Sequence, residues 1–296
     1  MAGSFALTMR RETAIMIEIK NNAQARAIAE AGIVLAELMM LNNDPQLRWN
    51  TDGRIYELDY AGAKIRVRLL SEAGKIDINS ADEAQLKALA YYAENDDLKQ
   101  QQIVDAILDW RDEDDIVRDN GAEKKEYQAA GLKYGPANKP FQSIAELQMV
   151  LGMDETVFSR MEPLITIYSN QQVDLQKASR EVLQVLNAEV PLENNQDTPL
   201  EQSSFQNNPF AMAARQAAQQ SGSVSAAEAV TIISEALIAE DVKAVLKAVV
   251  KKSSGGGSQP FQILSWQANV AGHSSLFAAD MDELLNTEYA ESRLYN

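Results

Sequence analysis

Cysteine is absent from the chain, and histidine occurs once, at His273. Without cysteine there is no disulfide, zinc–thiolate cluster or thiol nucleophile. A single histidine in a Ser/Gly/Ala setting lacks the convergent partners of a triad or a zinc site, so it reads as a solvated residue. Basic charge is also scarce: 27 Lys and Arg stand against 43 Asp and Glu, for a net charge of −16. A binder of phosphate backbones needs a cationic footprint, which argues against nucleic acid as a partner. An acidic chain suits solubility, self-repulsion and calcium. No window reaches the ~20 apolar residues of a membrane span, and no secretory leader is visible. The opening Met-Ala-Gly-Ser reads as a scar of expression. At 296 residues the chain has room for two subdomains.

The first forty residues carry a helical pattern. Ile15, Ile19, Ala23, Ala27, Ala31, Val34, Leu38 and Leu41 recur at steps of three or four, with Arg11, Glu18, Lys20, Arg26 and Glu37 off that stripe. The plainest reading is a helix packed by this face on its own sheet. Asn42-Asn43-Asp44-Pro45 stops it. Two alternating segments, Arg54 to Tyr60 and Ala63 to Leu70, then predict strands joined by a tight hairpin at Ala61-Gly62.

From Ile76 the pattern is helical for about a hundred residues, on the period-3.6 criterion. Ser80/Glu83 and Ser143/Glu146 have capping-box spacing. The expected helices are Ala81–Tyr92, Gln100–Trp110, Ile144–Leu151, Glu155–Pro163 and Leu175–Leu186. Pro191 to Ser225 reads as a partly disordered linker, with a short helix over Ala211–Gln219. Composition alone leaves 229–238 and 243–252 open between helix and strand: alanine favours the first, while Thr231, Ile232, Ile233, Val245, Val249 and Val250 favour the second. The closing DMDELLNTEYAESRL reads as a short acidic helix.

One run carries the chemistry. Asp109, Asp112, Glu113, Asp114 and Asp115 leave the end of an expected helix, whose terminus is already negative. Calcium suits such a place, since it takes six to eight oxygens and needs neither His nor Cys. Glu123 lies eleven residues after Asp112, as in an EF-hand, yet Ile116 stands at a ligand position and Val117 where the glycine belongs. A looser loop site would draw on Asp109, Asp112, Asp114, Asp115 and Glu123, with a carbonyl or Asn138. Against it stands a solvated acidic loop neutralised by Arg111, Arg118 and Lys124. Acid–base hydrolysis of sugars lacks a cleft and stacking aromatics; Trp110 reads as a core anchor. The phrases IDINSADEAQL and VDLQKASREVL look like helix-hairpin-helix units, but Asp77, Asp82, Asp96 and Asp97 in their loops oppose phosphate.

The pieces DWRDEDD, GAEKKEY, YGPANKP and SIAELQMVLGM, in that order between Ile107 and Met153, resemble the type II secretion system protein K family, the large minor pseudopilins. Lys124 and Lys125 depart from it, since an acidic residue commonly follows the GAE. The resemblance implies an α+β pseudopilin head, a long N-terminal helix on an antiparallel sheet, with a large inserted all-helical domain of helix-hairpin-helix/SAM-like type. It divides the chain into 1–73 (helix and first two strands), 74–190 (insertion with the acidic loop), 191–225 (linker), 226–267 (returning strands, closing on Pro260 to Trp266) and 268–296 (tail). It implies a non-enzymatic protein capping a pseudopilus tip with the I and J minor pseudopilins. It implies calcium in the acidic loop, and partner contact through Ile15, Ile19, Ala23, Ala27, Ala31 and Val34. It also implies a membrane anchor missing from this chain, with the head in the periplasm at the inner membrane. The competing reading is a minor pilin acting as a calcium-dependent adhesin of a type IV pilus-like system.

Overall fold

The computed structural model describes residues 2–186, 228–238, 242–253, 260–268 and 274–286. It forms two compact units: Met1–Ser71 with Ala229–Asn296, and Glu72–Glu228 inserted between them in the chain. Expectations for Pro191–Ser225 and His273 lie outside the described residues.

The first unit is α+β. Helix α1 (Ala2–Met40) precedes an antiparallel sheet in the order β1-β2-β5-β6-β7, formed by Asp52–Tyr60, Ala63–Ser71, Ala229–Ile238, Val242–Lys252 and Phe261–Ala268. Ala61 and Gly62 both have positive φ (53° and 78°), the backbone of a hairpin turn matched to strand twist. The stretches left open by composition are strands β5 and β6, because their β-branched residues fill a sheet buried on one face by α1 and on the other by the C-terminal segment.

The helix packs on the sheet by a face other than the expected one. Ala25, Ile28, Ala29, Ile33, Ala36 and Met39 are buried against Ile65, Val67, Ile232, Ala236 and Ala248. Ala23, Ala27, Val34 and Leu38, taken above as the sheet-facing stripe, are exposed, and Ala31 is half-buried. The two stripes share a period and differ by two residues, about 200° around the helix. Periodicity could therefore find both but could not rank them. Of the two stripes, only the buried one contains a glycine. A Cβ on Gly32 would collide with the Ser234 hydroxyl and stand 3.0 Å from Ile65 Cγ2, so glycine sets the closeness of helix and sheet.

On the opposite face, Ile55 and Ile233 are covered by Leu276, with Met281, Leu284 and Leu285 packed around them. Arg66 fixes this C-terminal segment by donating to the Leu276 carbonyl (2.8 Å) and Asp282 (2.7 Å), with its guanidinium 4.7 Å from the Phe277 ring centre. Glu235, buried in β5, accepts from Ser275 Oγ (2.7 Å) and from the Leu276 amide. Of the acidic helix expected over 280–294, the described part carries a 3-10 segment, Ala279–Leu284, and 287–294 lie outside the described residues.

The inserted unit is built from α2 (Glu83–Ala93), α3 (Asp97–Arg111), α4 (Lys124–Ala129), α5 (Glu155–Met161) and α6 (Arg180–Val185) around Leu86, Leu89, Ile103, Ile107, Trp110, Tyr127, Phe141, Leu147 and Met161. Trp110 is the anchor expected, stacked on Phe141 with ring centres 5.9 Å apart. Several local details differ from expectation. Asp82 with Gln85, not Ser80 with Glu83, forms the capping box of α2, because Ser80 Oγ is committed to the Gln171 carbonyl. Ser143/Glu146 does form its box, on a 3-10 segment (Ile144–Met149) rather than an α-helix. The helix expected from Leu175 begins only at Arg180, because Asp174 turns the chain by accepting from Gln176 N and Lys177 N. The unit is also not purely helical: β3 (Ile76–Asp77) pairs in parallel with β4 (Ile165–Thr166).

Substituting Gly32→Val should lower stability by about 1–3 kcal/mol through overpacking. Urea unfolding monitored by circular dichroism measures it.

Candidate functional site

The acidic run begins inside α3. Asp109, in the last turn, is fully buried, and Asp112 is the C-cap. The helix end is held by Arg111, whose guanidinium donates to the carbonyls of Ile78 and Ala81. Arg111 is thus spent on backbone. Asp109 Oδ2 accepts from the amides of Arg118 (3.2 Å) and Ala122 (2.9 Å), folding the loop back onto the helix end. A Cβ at Gly121 would overlap this carboxylate, so only glycine lets the loop approach so closely. Asp105 adds a second tie, accepting from the Asn120 amide (3.1 Å) and side chain (3.2 Å).

Glu123, the N-cap of α4, is 5% exposed. Its amide donates to Glu126 Oε2 at 2.9 Å and its side chain faces the Glu126 amide in a capping box, but neither of its carboxylate oxygens makes a full hydrogen bond. Asp109 Oδ1, Asp112 Oδ1 and Asn138 Oδ1 are buried and unpartnered in the same sense. Asn138 sits at φ 48°, its Nδ2 donating to the Asp114 carbonyl (2.9 Å) and to Asp115 Oδ1 (3.1 Å). Both amide hydrogens are used, and the carbonyl oxygen is left over. Asp114 Oδ1 accepts from the Ile116 amide at 2.8 Å, and Asp114 and Asp115 are exposed. Of the five carboxylates expected to act together, Asp109 and Glu123 are withdrawn from water and Asp112 is half-buried, whereas Asp114 and Asp115 form a rim tied in by Asn138.

Orphaned, buried acceptors are uncommon because leaving one unmatched is expensive. The electrostatics agree with the geometry. Glu123 is pushed up to about 7, first by burial and then by the charges of Asp109, Asp112, Asp115 and Asp114. Burial also raises Asp109, against the opposing amides of Arg118 and Ala122, and raises Asp112, with help from Asp114. The cluster is short of positive charge. Arg118 is its visible counterion, with Nε 3.3 Å from Asp109 Oδ1 and a terminal nitrogen 3.8 Å from Asp112 Oδ2.

Among the described residues, no three His, Asp or Glu side chains already converge as a ligand cage. The donor set is all oxygen, the kind a hard divalent cation takes: Asp109, Asp112 and the Asn138 carbonyl each have one oxygen left unmatched, and Glu123 has two. Sequence reasoning found the carboxylates from their density. It missed Gly121 and Asp105, whose roles depend on how the loop folds back.

Burial raises Glu123, so between about pH 4.5 and about pH 7 the folded state holds a proton that the unfolded state has already released. Stability of the metal-free protein should therefore fall as pH rises from about 4.5 to about 7, and stay low above it. In chelator, Glu123→Gln should melt above the native chain at pH 7.5, with the gap closing near pH 5. Paired thermal melts across that range measure it.

The other predicted residues lie in α1, away from the sheet-packed stripe. Ile15, Ile19 and Val34 are more than half exposed, Ala23 and Ala27 are exposed, and Ala31 is half-buried. Met9, Met16 and Ile17 are also exposed, so α1 is apolar on two opposite sides over part of its length. No helix among the described residues is long and apolar enough to cross a membrane.

Comparison with known proteins gives these features a context. Residues 63–170 match the family model of the type II secretion system (T2SS), protein K. Type II secretion system protein K of Klebsiella pneumoniae is 31% identical over 78 residues, 26% of this chain and 24% of that protein. The Dickeya chrysanthemi protein of the same name is 36% identical over 67 residues, 23% of this chain and 18% of that protein. The aligned stretch thus spans about a quarter or less of these relatives. A chain in the crystal structure of the GspK-GspI-GspJ complex from the enterotoxigenic Escherichia coli Type 2 Secretion System shares the fold, with a TM-score of 0.55 and 18% identity over 89% of this chain and all of that one. Residues 63–170 are thus similar to the type II secretion system protein K family, and the fold is shared with a chain of the solved complex.

Proposed function

We propose that the protein is a non-enzymatic minor pseudopilin that caps a secretion pseudopilus tip together with the I and J minor pseudopilins. The observation that carries this reading is the second apolar face of α1. A helix with one apolar face is satisfied by its own sheet, whereas a second, opposite face needs another partner. Ile19 and Val34 are 63% and 64% exposed on that side. The solved neighbour was crystallised as a complex of GspK with GspI and GspJ, which supplies the kind of partner that fits: two further proteins of one secretion system. The alanines at 23, 27 and 31 allow such helices to approach closely. In this reading the head lies in the periplasm and the native protein is held in the inner membrane by a single span. The inserted unit, Glu72–Glu228, adds a second folded body to the chain, and a bulky subunit suits an end position. The relatives are secretion-system proteins, which favours this role over a pilus adhesin.

The acidic loop belongs to the same reading as a calcium site. Calcium would be held by Asp109, Asp112 and Glu123 with the Asn138 carbonyl, and Asp114 and Asp115 would lend charge from the rim. When bound, the ion neutralises the acids there. The chain's own contribution is to bury these acids against the end of α3 and to fix the loop through Asp109.

Two measurements test the proposal. On size exclusion, the protein should co-elute with the soluble heads of its own I and J proteins. Ile19→Glu with Val34→Glu should abolish the complex while leaving stability within about 0.5 kcal/mol, as for exposed sites. Failure of the native chain to co-elute, in calcium and at high concentration, overturns the tip role. Calcium at a hundredfold excess over its Kd should add about 2.7 kcal/mol, raising the Tm by roughly 5–10 °C for a domain of this size. An unchanged melt, with no metal bound, removes the site.

A further inference from the structure

Arg118 is placed unlike the other cations near the loop. Arg111 is fixed by two backbone carbonyls. The Arg118 side chain instead reaches the buried Asp109 and the half-buried Asp112 while itself remaining 43% exposed. Its backbone is anchored, since its amide donates to Asp109 Oδ2 and its carbonyl accepts from Gly121 N at 3.0 Å. The guanidinium is not anchored in the same way. Its 3.3 Å approach to Asp109 Oδ1 is an ion pair without hydrogen-bond geometry, and that oxygen counts among the unpartnered ones. The Asp112 contact is longer, at 3.8 Å. A strong Arg–carboxylate pair is bidentate and shorter. The contact is therefore held mainly by charge, on a side chain whose far end reaches water.

We propose that Arg118 is a built-in stand-in cation: it neutralises Asp109 and Asp112 while no metal is bound, and swings to solvent when a divalent cation takes its place. This rests on the calcium reading above and adds to it a determinant of affinity. The site has two ways to satisfy the same carboxylates, one supplied by the chain and one by the solution. The metal must displace the first, so Arg118 lowers metal affinity while supporting the metal-free fold. The displacement needs no backbone movement at residue 118, because the amide bond to Asp109 Oδ2 engages the other carboxylate oxygen.

The test is calorimetric titration with calcium chloride of the native chain, Arg118→Gln and Arg118→Lys. Removing a partly exposed ion pair of about 1 kcal/mol should tighten calcium binding of Arg118→Gln roughly fivefold and lower its Tm in chelator. Arg118→Lys should stay near the native affinity. A native chain that binds and an Arg118→Gln that binds equally or more weakly overturn the stand-in role and leave the calcium site intact. A native chain that does not bind removes both. If Arg118→Gln does not fold without calcium, the native chain still decides: the Arg118 Nε–H resonance should lose its protection from solvent exchange on adding calcium. Retained protection overturns the proposal.

Discussion

The inserted unit depends on one buried carboxylate. Asp109 sits where the carbonyls of α3 already concentrate negative charge, and it is fully withdrawn from water. Such a group persists only if it is used. One oxygen organises the loop by accepting two backbone amides, and that fold-back makes the approach of Gly121 and the burial of Glu123 possible. The other oxygen is left short of a partner. One half of the side chain thus builds the site, and the other half creates its demand for positive charge.

The first unit turns on a different constraint, the distance between a helix and a sheet. Ala25, Ala29, Gly32 and Ala36 keep α1 close, and Ser234 lies directly below Gly32. Ile28, Ile33 and Met39 fill the space between these small residues, while Val34 and Leu38 stay outside the contact.

Much of this was legible in the sequence, and the exceptions share a cause. The β1–β2 hairpin was plain because alternation with an Ala-Gly turn has few competing solutions. The acidic loop was plain from charge density. Strands β5 and β6 were not, because alanine and valine fit either period once both faces are buried. The helix face was not legible because both stripes of α1 mix alanine with larger aliphatics at the same period. Ser80 was mistaken for a cap because its true partner, the Gln171 carbonyl, is remote in sequence. In each case the deciding contact was long-range, and local pattern carries no trace of such a contact.

The pairing of β2 with β5 has a consequence for the order of assembly. Ser71 stands opposite Val230 in the sheet, so everything between them is closed into one loop when those strands meet. The entropy of closing a loop grows only with the logarithm of its length, so a large insertion is tolerated thermodynamically. Kinetically it is not neutral, since non-local strand pairing is slow. The segment that covers Ile55 and Ile233 comes later still in the chain. The insertion can therefore fold from its own contacts while the sheet waits for its second half, and the head is completed from the middle of the chain outward.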